Sequence, residues 1–516
     1  MPRIFKYQAM KYNSIVKKGN TVSNHEGARA YAMTPEMELY TAVVSSCLCD
    51  SFYESGNSRA GRIAQLVRKV DPVFVAKLAV YARTKMNLRS IPLLLIVELA
   101  GIHNGDSLVS DAIAGTVLRA DEIMELLACY QWINSDGRGI KKLNRLSKQV
   151  QKGLSAAFNR FDEYQFAKYD RKGLGVTLRD ALFLVHPKAE DDARQAIFDK
   201  IAARALETPY TWETQLSDLG QQSFASEEEK KAAIRQLWEE LLDSGKLGYM
   251  ALLRNLRNIL KAEVSAEHVS ALCGRLADKT EVVRSKQLPF RFLAAYKEIL
   301  ACRSAYSTAV LSALEEAADV SVANLDGFGL GTNVLVASDV SGSMMSPVSP
   351  KSSIEYYDIG ILLGMLLKSR CASVVSGMFG DTWKVLDLPQ KSVLSNTVQM
   401  RMREGEVGYS TNGHKVIDWL AENGIRMDKV MIFTDCQMWD SSFSGQSLEK
   451  SWDRYKKICP EARLYLFDLA GYGAAPVRLP GRDVTLIAGW SDRVFDVLAA
   501  IEHGEDALSE INSIII

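Results

Sequence analysis

Between Met33 and Ala318 apolar residues recur at spacings of three and four, whereas beyond Asn324 they arrive as short unbroken runs rich in β-branched side chains. A period near 3.6 residues builds helices with one buried face, and unbroken apolar runs of about four to eight residues build strands buried on both faces. The segments Glu36–Cys49, Arg59–Val70, Pro72–Thr84, Ser90–Ile102, Ala120–Tyr130, Ile140–Phe158, Thr177–Val185, Glu227–Asp243 and Leu247–Ala262 read as helices parted by short polar breaks. Paired helices without a sheet are what a stacked array produces. No fixed period emerges, so the array is an irregular HEAT-like solenoid.

The second half reads differently. Strand runs Val334–Ala337, Ser373–Phe379, Trp383–Leu388, Lys429–Thr434, Arg463–Asp468 and Val484–Ala488 are separated by the helical stretches Ile354–Leu367, Asn412–Glu422, Leu448–Ile458 and Asp492–Ile501. Such alternation implies a doubly wound parallel sheet covered on both faces. The chain is therefore expected to be multidomain, α plus α/β, with an α-helical domain over 1–325 and a sheet domain over 326–516. The Gly-rich stretch Gly327–Gly331 precedes a strand rather than following one, which makes it a linker and not a dinucleotide loop.

Composition removes several function classes. The 62 Lys plus Arg balance 62 Asp plus Glu, so a uniformly basic coat is excluded while local basic faces are not. The densest apolar run, Ile91–Ile102, is interrupted by Pro92 and Glu98 and is too short to cross a membrane. The start has no apolar core of a secretory signal, and eight sparse cysteines, with Cys47 and Cys49 the only close pair, form no zinc pattern. A cytoplasmic protein is expected. No P-loop, HExxH or nucleophile elbow occurs, so an enzyme is not expected.

The strand Val334–Ala337 runs into Asp339-Val340-Ser341-Gly342-Ser343, which places one carboxylate and two hydroxyls on alternate positions of a strand-end loop. Ligands of doubly wound sheets sit at such carboxyl ends. A hard cation such as Mg²⁺ takes oxygen ligands in an octahedron and keeps some of its waters. Thr411, ahead of a helical stretch, and Asp435, at the end of the run Val430–Thr434, supply further oxygens from two other strand ends. A capping role for any one of these residues is ordinary; the set of five points to a metal site. An aspartyl-phosphate hydrolase would need a second acid where Ser341 stands.

The helical half concentrates cations. Residues 138 to 188 hold 12 Lys or Arg against four Asp or Glu. Lys141, Arg145, Lys148 and Lys152 are spaced to share one face of a helix, opposite Leu143, Leu146 and Val150. Arg254, Arg257 and Lys261 share another, opposite Leu252, Leu253, Leu256, Ile259 and Leu260, and the loop Lys168-Tyr169-Asp170-Arg171-Lys172 adds three cations. Like charges at these spacings repel, so such stripes imply an anionic partner, most simply RNA. His186, just before Pro187, ends a helix begun by Thr177-Leu178-Arg179-Asp180 and serves its negative pole or a phosphate.

Asp339, Ser341, Ser343, Thr411 and Asp435 together resemble the metal-ion-dependent adhesion site of von Willebrand factor A domains. With Phe166–Tyr169, Leu182–Lys188, Met250–Arg257 and Leu288–Arg291, almost the whole chain beyond about its first thirty residues resembles the Ro autoantigen family, a TROVE domain followed by a von Willebrand A domain, of the bacterial type. The resemblance implies that HEAT-like repeats close into a monomeric ring with a positively charged cavity, the A domain completing the closure. It implies a divalent metal, most simply Mg²⁺, bound directly by the hydroxyls and mostly through water by the acids, with a partner's acid often completing the shell. It further implies that Y-like noncoding RNA and structured or misfolded RNA bind the ring, with a single-stranded 3′ end threaded through the hole. An exoribonuclease such as polynucleotide phosphorylase is the implied partner in bacteria. Lys168 and His186 match positions implicated in RNA contact; adding Lys141, Arg145, Lys148, Arg171, Lys172, Arg254 and Arg257 follows from charge and spacing. The alternative is a metal-dependent protein-docking adaptor with no RNA function.

Overall fold

The structure, a computed structural model, describes residues 21–45, 56–134, 146–170, 175–285, 287, 289–322, 332–348, 352–370, 373–387, 389, 391–438, 447–479, 483–489 and 507–516. Cys47, Cys49, Lys141, Arg145, Arg171, Lys172, the Gly327–Gly331 stretch and the expected helix Asp492–Ile501 lie outside the described residues.

Two short strands, β1 (Thr21–Ser23) and β2 (Arg29–Ala32), open the described chain as an antiparallel hairpin. Helices then follow one another from Pro35 to Val322. Several begin and end where local chemistry demands. Asp71 accepts hydrogen bonds from Val73 N and Phe74 N, Pro72 occupies the first helical position, and the helix Pro72–Thr84 results. Ser90–Ile102 is buried over most of its length and lies between neighbouring helices as the hydrophobic centre of the array. One expectation is corrected: no single helix spans Ile140–Phe158. Ser147 has extended backbone (φ −57°, ψ 143°) and its side chain accepts from Val150 N, so the helix starts at Lys148.

The remaining strands are β3 (Asn333–Asp339), β4 (Ser373–Phe379), β5 (Trp383–Val385), β6 (Lys429–Thr434), β7 (Arg463–Asp468), β8 (Ala474–Ala475) and β9 (Val484–Ala488). Six of them form a sheet in the order β5-β4-β3-β6-β7-β9, parallel except for β5. The antiparallel edge arises because β5 follows β4 after only three residues, too few for a crossover. Alternate residues feed two separate cores. Val334, Val336, Met431, Phe433, Tyr465 and Phe467 join a cluster continuous with the helical array. Leu335, Ala337, Val430, Ile432, Leu464 and Leu466 pack under the helices His414–Glu422 and Leu448–Ile458.

Both ends of the helical array meet this sheet domain. At the late end, Glu315 accepts from Leu394 N (3.0 Å) and Ser395 N (2.6 Å), capping the helix Val393–Arg401. Lys297 donates to the fully buried Asp358 carboxylate at 2.5 Å. At the early end, Arg62 Nη2 donates to Gly471 O at 2.7 Å, and β2 pairs with β8. Array and sheet domain therefore form a closed loop. Gly489, at φ 71°, lies so close to the Val44 carbonyl that a Cβ would collide with it. Gly489→Ala is expected to destabilise the early contact by about 2–4 kcal/mol, adding left-handed strain to an overpacked seam. Limited proteolysis checks this: cleavage near Ser45 faster than in the parent supports it, and an unchanged rate contradicts it.

Candidate functional site

The metal-type loop forms at the carboxyl end of β3. Asp339 is fully buried; its Oδ1 accepts from Ser341 N at 2.8 Å and its Oδ2 from the Thr434 hydroxyl at 2.7 Å. Ser341 starts a short 3₁₀ turn, Gly342–Met345, but its side chain caps nothing. Instead the Ser341 and Ser343 hydroxyls lie 3.3 Å apart, both buried. Asp435 follows β6, with Oδ1 accepting from Gln437 N at 3.0 Å and Oδ2 buried without a hydrogen-bond partner among the described residues. The next residue, Cys436, sits in the left-handed region (φ 61°), which turns the chain sharply and points the loop back across the sheet edge.

Thr411 comes from a third direction. Asn412 N donates to Gly380 O at 3.2 Å, and Val340 N donates to Phe379 O at 3.1 Å, so the Thr411 loop and the Asp339 loop both dock on the end of β4. The helix behind Thr411 begins at His414 with Gly413 as its cap, so Thr411 is not the cap. Its hydroxyl is nearly buried and has no hydrogen bond among the described residues. The loops that carry the five expected residues thus meet at the carboxyl ends of β3, β4 and β6, but Thr411 itself lies between the 3₁₀ turn Glu404–Val407 and the helix His414–Glu422 and not at a strand end as expected.

The residues fit a hard cation. Among the described residues no trio of His, Cys, Asp and Glu converges on a metal position, so the donors are hydroxyls and two acids, which suits Mg²⁺ and not a thiophilic ion. The orphaned Asp435 oxygen and the uncapping hydroxyls are the donors such an ion would satisfy. Sequence reasoning missed a third strand-end acid, Asp468, whose Oδ1 accepts from Ala470 N and Gly471 N while burial pushes its carboxyl up to about 7. The signal was present: β7, like β6, is an apolar run leading to an acid.

Burial also raises Asp339 and Asp435 above the ordinary carboxylate range; repulsion from Asp435 adds to it at Asp339. A carboxyl whose folded value exceeds its unfolded value of about 3.9 costs stability progressively as pH climbs between the two. Metal-free protein is therefore expected to lose stability as pH rises from about 5 to about 7, and the increment from Mg²⁺ to grow over that window because the ion binds ionised carboxylates. Urea unfolding with EDTA and with Mg²⁺ at both ends of the window measures this; a Mg²⁺ increment larger at the acid end contradicts it.

The cationic residues fall into two groups. Lys148 and Lys152 lie exposed on the helix Lys148–Phe158, and Gln151 Nε2 donates to Val185 O at 3.0 Å, which brings His186 beside them. His186 is the left-handed cap (φ 49°) of the helix Leu178–Val185, whose Thr177–Asp180 capping box is present. Lys168 lies 5.9 Å from the Tyr164 ring and 5.8 Å from the Tyr169 ring. Tyr164, beside Lys168, and Phe183, beside Arg179, are half exposed, and Trp132 is exposed to a similar degree.

Arg254 and Arg257 lie elsewhere. They project from the helix Tyr249–Lys261, whose Leu252, Leu253, Leu256, Ile259 and Leu260 are buried as the spacing requires. With Arg291 they line a cavity of ≈ 760 Å³ walled by Asn87, Phe290 and, from the sheet domain, Val348, Ile354 and Tyr356. Arg257 pairs with Glu298 at 2.5 Å, while Arg254 has no ion pair among the described residues. Among the described residues, Arg254, Arg257, Arg291 and Glu298 are the charged side chains that line this cavity at the junction of the two domains. Arg291 was not singled out, because only closure of the loop brings it opposite Asn87.

No helix among the described residues is long and apolar enough to cross a membrane. The TROVE domain model matches residues 17–234 and 204–308, and the Ro60 vWA domain model matches residues 333–499. Telomerase protein component 1 of Rattus norvegicus is 23% identical over 338 residues, covering 51% of this chain and 12% of that protein. The Mus musculus protein of the same name is 45% identical over 94 residues, covering 18% and 3%. The chain thus spans a small fraction of the length of these relatives. The crystal structure of the Deinococcus radiodurans Ro (RSR) protein matches with a TM-score of 0.62 at 18% identity, covering 92% of this chain and 100% of that one.

Proposed function

Because the chain belongs to the TROVE-domain family and carries a Ro60-type von Willebrand A domain behind that region, we propose that it is a non-catalytic RNA-binding scaffold. It holds structured RNA, Y-like noncoding RNA or misfolded transcripts, on the outer cationic and aromatic face, and draws a single-stranded 3′ end into the cavity. An exoribonuclease, polynucleotide phosphorylase in bacteria, is the partner that would receive such cargo. The protein acts as a monomeric ring.

The arginine-lined cavity is the observation that carries this reading. Its volume, ≈ 760 Å³, lies within the range of about 300–1,000 Å³ of small-molecule sites, and an unpaired strand is the form of RNA proposed to enter it. Arg254 and Arg257 supply fixed positive charge there, and phosphate contacts bind backbone without reading sequence. On the outer face, Lys148, Lys168 and His186 would meet phosphates while Tyr164 and Phe183 stack on unpaired bases. Lys141, Arg145, Arg171 and Lys172, which lie outside the described residues, are proposed as further RNA contacts on charge and spacing alone. The Asp339–Asp435 site would hold Mg²⁺, which supplies electrostatic cross-linking of three loops; Ser341, Ser343 and Thr411 orient toward it and the two acids balance its charge.

Equilibrium binding of a hairpin RNA with and without a 3′ tail, measured across a salt series, tests the proposal. The tailed RNA is expected to bind more tightly and with a steeper salt slope. Equal affinities and slopes would defeat the threading part of it.

A further inference from the structure

The turn of the amino-terminal hairpin lies over the carboxyl edge of the main sheet. It spans Asn24 to Gly27, closed by Gly27 N donating to Asn24 O at 3.0 Å and Asn24 N donating to Ala28 O at 2.9 Å, with Gly27 at φ 75°. The buried Asn24 side chain holds the turn twice. Its Oδ1 accepts from Ala28 N at 2.8 Å, and its Nδ2 donates to Met438 O at 2.8 Å. Beside it, His25 N donates to Gln437 Oε1 at 2.8 Å. Gln437 is the residue whose own N–H binds Asp435 Oδ1. The base of the hairpin is fixed as well, by β2 pairing with β8 and by the Tyr31 hydroxyl donating to Glu449 at 2.7 Å.

The turn therefore stands on the rim of the metal-type site. Met438, which it grips, also abuts Gly413, where a Cβ would come within 2.9 Å of its sulfur, and Gly413 is two residues beyond Thr411. At the tip is the half-buried Glu26, next to His25, whose N–H is held by the side chain of Gln437 two residues beyond Asp435. An acid brought by a fixed turn to the rim of a site that already holds two buried acids is unfavourable on its own. A cation shared among them reverses the sign, because the carboxylates then face opposite charge.

We propose that Glu26 occupies the open coordination position of the metal site in cis, so that a bound Mg²⁺ staples the amino-terminal hairpin to the sheet domain and leaves no vacancy for a partner's acid. This rests on the reading of Asp339, Ser341, Ser343, Thr411 and Asp435 as a metal site. One carboxylate oxygen from the turn replaces one water of the ion. A docking partner would have to displace the hairpin first.

Mn²⁺, which takes the same oxygen donors as Mg²⁺ and is visible in water-proton relaxation, is the probe. The full chain is compared with Glu26→Gln, Asn24→Ala and Asp339→Ala, each checked for folding by circular dichroism. Glu26→Gln is expected to weaken Mn²⁺ about tenfold and to add about one exchangeable water to the bound ion. Added acetate should then bind the Glu26→Gln site and remove that water, while leaving the parent unaffected. Asn24→Ala, which frees the turn, should shift both readings in the same direction. Equal affinity and hydration in parent and Glu26→Gln, with Mn²⁺ lost in Asp339→Ala, overturns the role of Glu26 and leaves the metal site standing. A parent that takes no Mn²⁺, or an Asp339→Ala variant that binds it normally, overturns both.

Discussion

Replacing Arg254 and Arg257 together with alanine is expected to weaken binding of a tailed hairpin RNA by about 30- to 100-fold. Each guanidinium–phosphate contact is charge-assisted, and losing two costs about 2–3 kcal/mol. Single-stranded phosphates contribute about 0.7 each to the salt slope, so the slope should fall by about 1.4. Binding of the same hairpin without its tail should change little, since Lys148, Lys168 and His186 lie on other elements. Folding should survive the change. The Arg257–Glu298 pair is about half exposed on both sides (51% and 45%), and such pairs contribute about 0–1 kcal/mol. An equal loss for tailed and tailless RNA would show that the arginines shape the fold rather than hold the tail.

Asp339→Asn is expected to separate metal response from intrinsic stability. In the parent, Mg²⁺ at about 100 times its dissociation constant should stabilise the sheet domain by about 2.7 kcal/mol. In the variant that increment should vanish, because the amide neither ionises nor balances the cation. The metal-free variant, however, should be more stable than the metal-free parent by about 1–3 kcal/mol near neutral pH. The reason is that burial and the Asp435 charge both oppose ionisation of Asp339, and an amide escapes that cost. It keeps an acceptor for Ser341 N, and the Thr434 hydroxyl can turn to accept instead of donate. Denaturant titrations with EDTA and with Mg²⁺ should therefore cross. A variant less stable than the parent without metal contradicts the electrostatic account.

The sheet domain was readable because its signals are local. β4, β6, β7 and β9 coincide with the expected strand runs, since strands buried on both faces over most of their length carry few polar residues to blur the pattern. Asp339 and Asp435 were readable for the same reason, one ending and the other following such a run, whereas Thr411 was found from its place ahead of a helical stretch. The helical half was readable only where burial imposes a stripe. The helices Asp192–Ala203 and Trp212–Gly220 bury two residues and none, so they left little periodic signal. The expected Ile140–Phe158 helix was too long because the cap at Ser147 was passed over in favour of continuous charge spacing. The hairpin over the metal-type edge was missed because β1 is exposed along its length and β2 finds its second sheet partner, β8, more than 400 residues away.

The cavity was the least legible feature. Arg254 and Arg257 were recognised as one face of a helix, but what that face looks at depends on contacts between distant segments. Asn87, Arg291 and Tyr356 come together only when both ends of the array dock on the sheet domain. Spacing along one helix cannot carry that information.

Crosslinking with 4-thiouridine placed at the 3′ end of a tailed hairpin RNA, followed by peptide mass spectrometry, asks directly where the tail goes. Adducts within Met250–Arg257, Phe290–Ala294 or Val348–Tyr356 are the expected result. Adducts confined to the outer face around Lys148, Lys168 and His186, with the cavity unlabelled, would contradict it.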